Sequence, residues 1–162
     1  MKQYIGTKLL LAIAMNLGDY NLKRGWTIPA NEDPLKEGYQ VEYPDGYISW
    51  SPKEVFEASY RETNNKMTFG LAIEAMIAGH KVSRSGWNGK NMFIYHTVGN
   101  IAPKDFILKF TLLPQSVKDF LEVKGEDVVF QASFTLYTAA GEMQPGWLAS
   151  QSDMQADDWG IV

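Results

Sequence analysis

The chain has no cysteine among its 162 residues, which excludes disulfides, thiolate metal sites and a cysteine nucleophile and fits a reducing compartment. Histidine is scarce as well. His80 and His96 are the only two, and neither has a second ligand at metal spacing, so a structural or surface role is expected for each, with no metal site and no cofactor. Positive charge is not in excess. Fifteen basic against nineteen acidic residues leave a net charge of −4, so the broad basic surface that holds long nucleic acid by counterion release is missing; a local phosphate site stays open. No apolar run approaches the roughly 20 residues of a membrane span, and no membrane partner is expected. The basic start, the short apolar run at 9–15 and the pair Ala12 and Ala14 mimic a secretory signal in outline, but the run sits at the lower limit for one. Cytoplasm is the expected compartment. Walker, G-x-G-x-x-G, G-x-S-x-G and H-E-x-x-H motifs are all absent. Neighbouring acids such as Asp157 and Asp158 are capable of acid–base work, yet such pairs more often form a solvated cap, and the chain is expected not to be an enzyme.

What is present is alternation and turn chemistry in two halves. Residues 3–15 read as strand-like and then apolar, with Asn16 to Asp19 ending the run as turn formers. After a loop over 29–38, Tyr39 to Tyr43 alternates, Pro44-Asp45-Gly46 turns, and Tyr47 to Trp50 alternates again, a hairpin signal. Ser51 is expected to cap a helix opening at Pro52, with Glu54 completing a capping box and the helix running to about Arg61. Residues 62–66 are polar and aperiodic and read as a linker.

In the second half Thr68 is positioned to cap a helix with Leu71, Ala72, Ala75 and Met76 on one face and a stop at Gly79. Residues 81–87 and 91–98 read as strands joined by Asn88-Gly89 as a two-residue turn. A short helix is expected over 113–123, a second hairpin over 128–147 with its tip at 140–142, and a closing strand over 159–162. The expected fold class is α+β: two small domains, each with antiparallel hairpins and short helices, at 1–61 and 67–162.

The second half holds the residues suited to binding. Trp87, Asn88 and Arg84 bring a flat aromatic face, an amide and a guanidinium within one turn. An indole stacks on a base for roughly 1–3 kcal/mol, and a guanidinium pairs with phosphate. The same residues also read as a core anchor and a surface charge. Phe69 and Gly70 fall in a first helical turn, where open backbone N–H groups favour an anion; Gly70 equally suits tight helix packing. Trp147 to Trp159 sets two tryptophans around polar acceptors, suited either to ribose and base edges or to a capped short helix packing its indoles inward.

Two long blocks, MTFGLAIEAMIAGHKVSRSGWNGKNMFIY and PGWLASQSDMQADDWGIV, resemble the Thoeris anti-defense 2 family of phage proteins over residues 66–162. The resemblance implies a sponge that binds a cyclic ADP-ribose isomer, and in some members cyclic dinucleotides, without degrading it, in the cytoplasm of the infected bacterial host. It also implies a homotetramer with ligands held between protomers. By position it makes Phe69, Gly70, Arg84, Trp87, Asn88, Trp147, Asp158 and Trp159 the candidate ligand-binding residues. The longer region over 100–127 departs from compact members. The first half, through YIGTK, RGWTIP and GYQVEYPDGYISWSPKEVFEASYR, resembles a family of small tailed-phage proteins of unknown function; Trp26 and Trp50 are expected in its core. Two other readings compete: an enzyme that cleaves the cyclic nucleotide, and a phage structural or adaptor protein.

Overall fold

A computed structural model describes residues 1–3 and 6–162; Tyr4 and Ile5, within the strand-like start expected at 3–15, lie outside the described residues. The chain divides into two compact units, Met1–Glu62 and Thr63–Val162. Both combine helices with antiparallel sheet, giving the expected α+β class. Among the described residues no helix is long and apolar enough to cross a membrane.

The first unit is a three-stranded antiparallel sheet with two helices: β1 (Leu11–Ala14), α1 (Leu17–Arg24), β2 (Gly38–Glu42), β3 (Ile48–Pro52) and α2 (Lys53–Ser59), in strand order β1-β2-β3. The hairpin β2–β3 forms where alternation and Pro44-Asp45-Gly46 place it, with Gly38 opposite Pro52 and Glu42 opposite Ile48. Asn16 to Asp19 does not turn the chain. Asn16 instead caps α1, its side chain accepting from the Asp19 amide at 2.7 Å, because a turn-forming amide just ahead of an apolar-periodic stretch is also the preferred N-cap. The cap of α2 differs too. Pro52 is its N-cap with no side-chain cap bond, so Ser51 and Glu54 make no capping box, and the helix stops at Ser59. Leu17, Tyr20 and Val41 are buried. Trp50 is half-buried and donates from Nε1 to the Met15 carbonyl at 2.8 Å, whereas Trp26 is exposed against expectation and lies edge-on to Tyr20. A Cβ at Gly38 would collide with the Trp50 indole and the Ser51 carbonyl, which explains glycine at the start of β2.

The second unit is built on a five-stranded antiparallel sheet. Its elements are α3 (Phe69–Ile77), β4 (Val82–Arg84), β5 (Phe93–Thr97), β6 (Asn100–Ala102), α4 (Lys104–Ile107), α5 (Gln115–Lys124), β7 (Val128–Phe130), β8 (Ser133–Tyr137), β9 (Met143–Pro145), α6 (Gln151–Met154) and β10 (Trp159–Ile161). The strand order is β10-β4-β5-β8-β9, with β6 and β7 forming a separate two-stranded sheet. Helix α3 buries Ala72, Ala75 and Met76 in a core with Met67, Val82, Ile94, Leu136 and Trp159, the face its spacing predicts. Gly79 follows with φ 96° as its stop.

Three departures from the sequence reading matter. Asn88-Gly89 is not a two-residue turn: β4 ends at Arg84 and β5 starts at Phe93, and the left-handed residue of this longer loop is Asn91, φ 59°. The second hairpin is β8–β9, reversing through 138–142, while Val128–Phe130 pairs with Asn100–Ala102 instead. Finally, residues 63–67 run beside β10 rather than hanging free. Ile161 donates to the Thr63 carbonyl at 2.8 Å, and Met67 and Trp159 exchange backbone bonds of 2.9 and 3.1 Å.

Candidate functional site

Four aromatic side chains from four different elements meet in one cluster. Phe69 comes from the first turn of α3, Trp87 from the β4–β5 loop, Trp147 from just beyond β9 and Trp159 from the start of β10. Ring centroids are 5.4 Å apart for Trp87 and Trp159, 5.6 Å for Phe69 and Trp159, and 6.3 Å for Trp147 and Trp159. Trp87 and Trp159 meet at 78° and Trp147 and Trp159 at 77°, the edge-to-face arrangement that the ring quadrupole favours. Local backbone bonds put each ring there. Trp147 donates from its amide to the Phe134 carbonyl at 2.9 Å, and Trp159 pairs with Met67 on one side and Arg84 on the other.

Burial separates their roles. Trp159 has no exposed surface and forms the floor, its Nε1 donating to the Asp153 carbonyl at 3.0 Å. Phe69, Trp87 and Trp147 are half-buried, and Asn88 and Gly70 are exposed. A Cβ on Gly70 would meet nothing nearer than the Thr68 hydroxyl at 4.0 Å, so tight helix packing does not account for this glycine. Thr68 gives α3 no side-chain cap bond.

Beneath the rings lies a charged brace. Arg84 donates from Nη1 to Asp153 Oδ1 and from Nε to Asp158 Oδ1, both at 2.8 Å, and its Cζ sits 6.0 Å over the Trp159 ring. Asp158 Oδ2 accepts from the Gly86 amide at 2.7 Å and the Ser85 hydroxyl at 3.3 Å, tying the loop that carries Trp87 to the start of β10. A Cβ on Gly86 would stand 2.7 Å from that carboxylate oxygen, so glycine permits the approach. Asp153 Oδ1 also accepts from Trp87 Nε1 at 3.1 Å, and its Oδ2 accepts from the Ser150 hydroxyl and amide in a capping box that opens α6.

The electrostatics follow from these bonds. Burial pushes the Asp153 carboxyl up, but hydrogen bonds from Ser150, Arg84 and Trp87 outweigh it and hold it at about 2. The Arg84 bond lowers the Asp158 carboxyl, and the Asp158 bond in turn raises Arg84. All three groups are therefore charged at neutral pH.

The structure thus brings Phe69, Arg84, Trp87, Trp147, Asp158 and Trp159 into one cluster. Gly70 sits beside Phe69 at the start of α3, and Asn88 follows Trp87 in the loop. Arg84 and Asp158 are engaged with each other and with the loop rather than open to solvent. The stretch between the two tryptophans takes the form of a capped short helix, with Trp159 packed inward. Asp153, the hub of the brace, is absent from the candidates drawn from sequence; the local signal for it is Ser150-x-x-Asp153, a capping-box spacing. Among the described residues no group of three or more acidic or histidine side chains is placed to hold a metal ion.

Residues 67–162 match the family model described as the Thoeris anti-defense 2-like domain. Over 100 residues, 60% of this chain and 96% of the relative, the sequence is 36% identical to Thoeris anti-defense 2 of Bacillus phage SP01. The residues matched by the family model fall within the unit that carries the aromatic cluster.

Proposed function

The chain belongs to the Thoeris anti-defense 2-like family, and from that premise and the geometry of its aromatic cluster we propose that it acts as a phage anti-defense protein by sequestering a cyclic nucleotide immune signal intact. The observation that carries this reading is the half-buried rim of Phe69, Trp87 and Trp147 standing over the fully buried Trp159. Flat rings held at fixed angles over a packed floor suit purine bases, since stacking on an aromatic side chain contributes roughly 1–3 kcal/mol per base. The phosphates of the same ligand approach the first turn of α3, where Gly70 leaves open space and the helix dipole favours negative charge. Asn88 meets base or ribose edges. Arg84, Asp153 and Asp158 act as positioning residues, fixing the Trp87 loop before the ligand arrives, so that little ordering cost remains at binding.

The ligand class is a cyclic ADP-ribose isomer, with cyclic dinucleotides as a second class. No step of bond cleavage is proposed. Association into a homo-oligomer, a tetramer in the simplest scheme, is part of the same reading. Native mass spectrometry with a panel of cyclic ADP-ribose isomers and cyclic dinucleotides tests it. Retention of one ligand class on an oligomer is expected. A strictly monomeric, ligand-free spectrum across the panel at micromolar protein would overturn the reading and favour the structural or adaptor alternative.

A further inference from the structure

The edges of the two main sheets are treated unequally. In the first unit the edge strand β3 ends in Pro52 and leads directly into α2. In the second, β9 ends in Pro145, and β10 is flanked by residues 63–67 through the Thr63–Ile161 and Met67–Trp159 bonds. These are the usual ways a sheet edge is closed to further pairing. Among the described residues, strand β1 has none of them. Residues 9–15 carry no charge, proline or glycine, all four residues of β1 are exposed, and Leu11 and Ile13 keep 71% and 58% of their surface in solvent.

The ladder fixes which backbone groups are open. Met15 donates to the Gly38 carbonyl at 2.9 Å, one step beyond the Ala14–Tyr39 pair. Alternate pairs in an antiparallel ladder exchange both bonds, so Leu11, Ile13 and Met15 bond to β2, and Ala12 and Ala14 point their N–H and C=O groups away from the sheet. A helix or an apolar ligand cannot satisfy such a row; another strand can. The side chains name that strand. The order Leu11, Ala12, Ile13, Ala14, Met15 is large, small, large, small, large about Ile13, so the segment read backwards offers the same apolar profile. Antiparallel pairing with itself about a two-fold axis sets Ala12 against the partner subunit's Ala14, with both of their outward groups in register, and faces Ile13 with the partner subunit's Ile13.

We infer that β1 is a self-association edge, pairing with β1 of a second copy of this chain about a two-fold axis at Ile13 to join two three-stranded sheets into one of six strands. The contact belongs to the first unit, outside the region matched by the family, and does not depend on the ligand reading.

The absence of cysteine permits a direct test on the full chain. In the proposed register the two Ile13 positions form a non-hydrogen-bonded pair with Cα atoms about 4.5 Å apart, within disulfide reach. The two Leu11 positions are four residues apart along the strand, roughly 14 Å, beyond it. Ile13→Cys is therefore expected to give a covalent dimer on mild oxidation, read by non-reducing gel and intact mass, and Leu11→Cys to remain monomeric on the same gel. Both side chains are exposed, so neither change removes core packing, and circular dichroism verifies the fold. Adding Ala12→Pro to Ile13→Cys removes an outward N–H that the protomer's own ladder does not use and should abolish the crosslink. No crosslink from folded Ile13→Cys, equal crosslinking from Leu11→Cys, or persistence of the crosslink with Ala12→Pro would each overturn the proposal.

Discussion

Replacing Arg84 with Met keeps a long apolar stem but removes the guanidinium that bridges Asp153 and Asp158 at 2.8 Å each. Breaking a fully buried ion pair by deleting one partner costs about 3–5 kcal/mol, because the remaining charge loses its compensation. Here the Arg84, Asp153 and Asp158 side chains keep 16%, 12% and 23% of their exposure, so water screens part of the loss, and about 2–3 kcal/mol is the expected destabilisation at pH 7. The pH dependence gives a second signature. In the parent, Asp153 at about 2 lies below its usual 3.8, so its contribution, of order 2 kcal/mol, is present above pH 3.8 and is lost as pH falls through about 2. In Arg84→Met the two carboxylates repel without a cation, their folded-state values rise, and stability is lost as pH increases through them. The gap between variant and parent should thus be widest near pH 7 and narrow towards pH 4. Urea unfolding followed by fluorescence and circular dichroism at the two pH values measures it. A variant within about 0.5 kcal/mol of the parent at pH 7, or a gap that widens on acidification, would refute the reasoning.

Other expectations separate rim from floor. Trp87→Ala should weaken ligand binding by roughly 1–3 kcal/mol with little change in salt dependence, whereas Trp159→Ala should cost about 3–5 kcal/mol of stability, seen as a lower urea midpoint before any ligand is added. Gly70→Ala should leave the fold as stable as the parent or slightly more so, since alanine is the better helix former by up to about 1 kcal/mol, yet weaken binding if phosphate approaches there; a calorimetric titration unchanged by the substitution would remove that contact from the account. Gly38→Ala should destabilise the first unit by about 1–3 kcal/mol through collision with Trp50, measured by thermal unfolding, and leave ligand affinity untouched.

The parts of the fold that were legible in the sequence are those whose signals are local. Alternation around Pro44-Asp45-Gly46 gives the first hairpin, the spacing of Ala72, Ala75 and Met76 gives α3, and Trp159-Gly-Ile gives the closing strand. The errors arise where one residue type serves two purposes or a distant residue decides. Asn16 reads as a turn former and acts as a helix cap. Asn88-Gly89 reads as a tight hairpin, but the Asp158 carboxylate, 72 residues from Gly86, holds the Ser85-Gly86 segment in a longer loop. The candidate site shows the same division. Its aromatic members announce themselves, while the engagement of Arg84 with two carboxylates depends on strand pairing between β4 and β10, which no spacing encodes.

The central claim is that the protein holds its signal without breaking it. Incubating the purified chain with a cyclic ADP-ribose isomer, removing unbound ligand, denaturing the protein and analysing the supernatant by mass spectrometry tests this directly. The account predicts that intact cyclic nucleotide is released in a fixed ratio to protein, and that Trp87→Ala retains much less of it. Linear breakdown products, or no retained nucleotide from a folded parent protein, would contradict it.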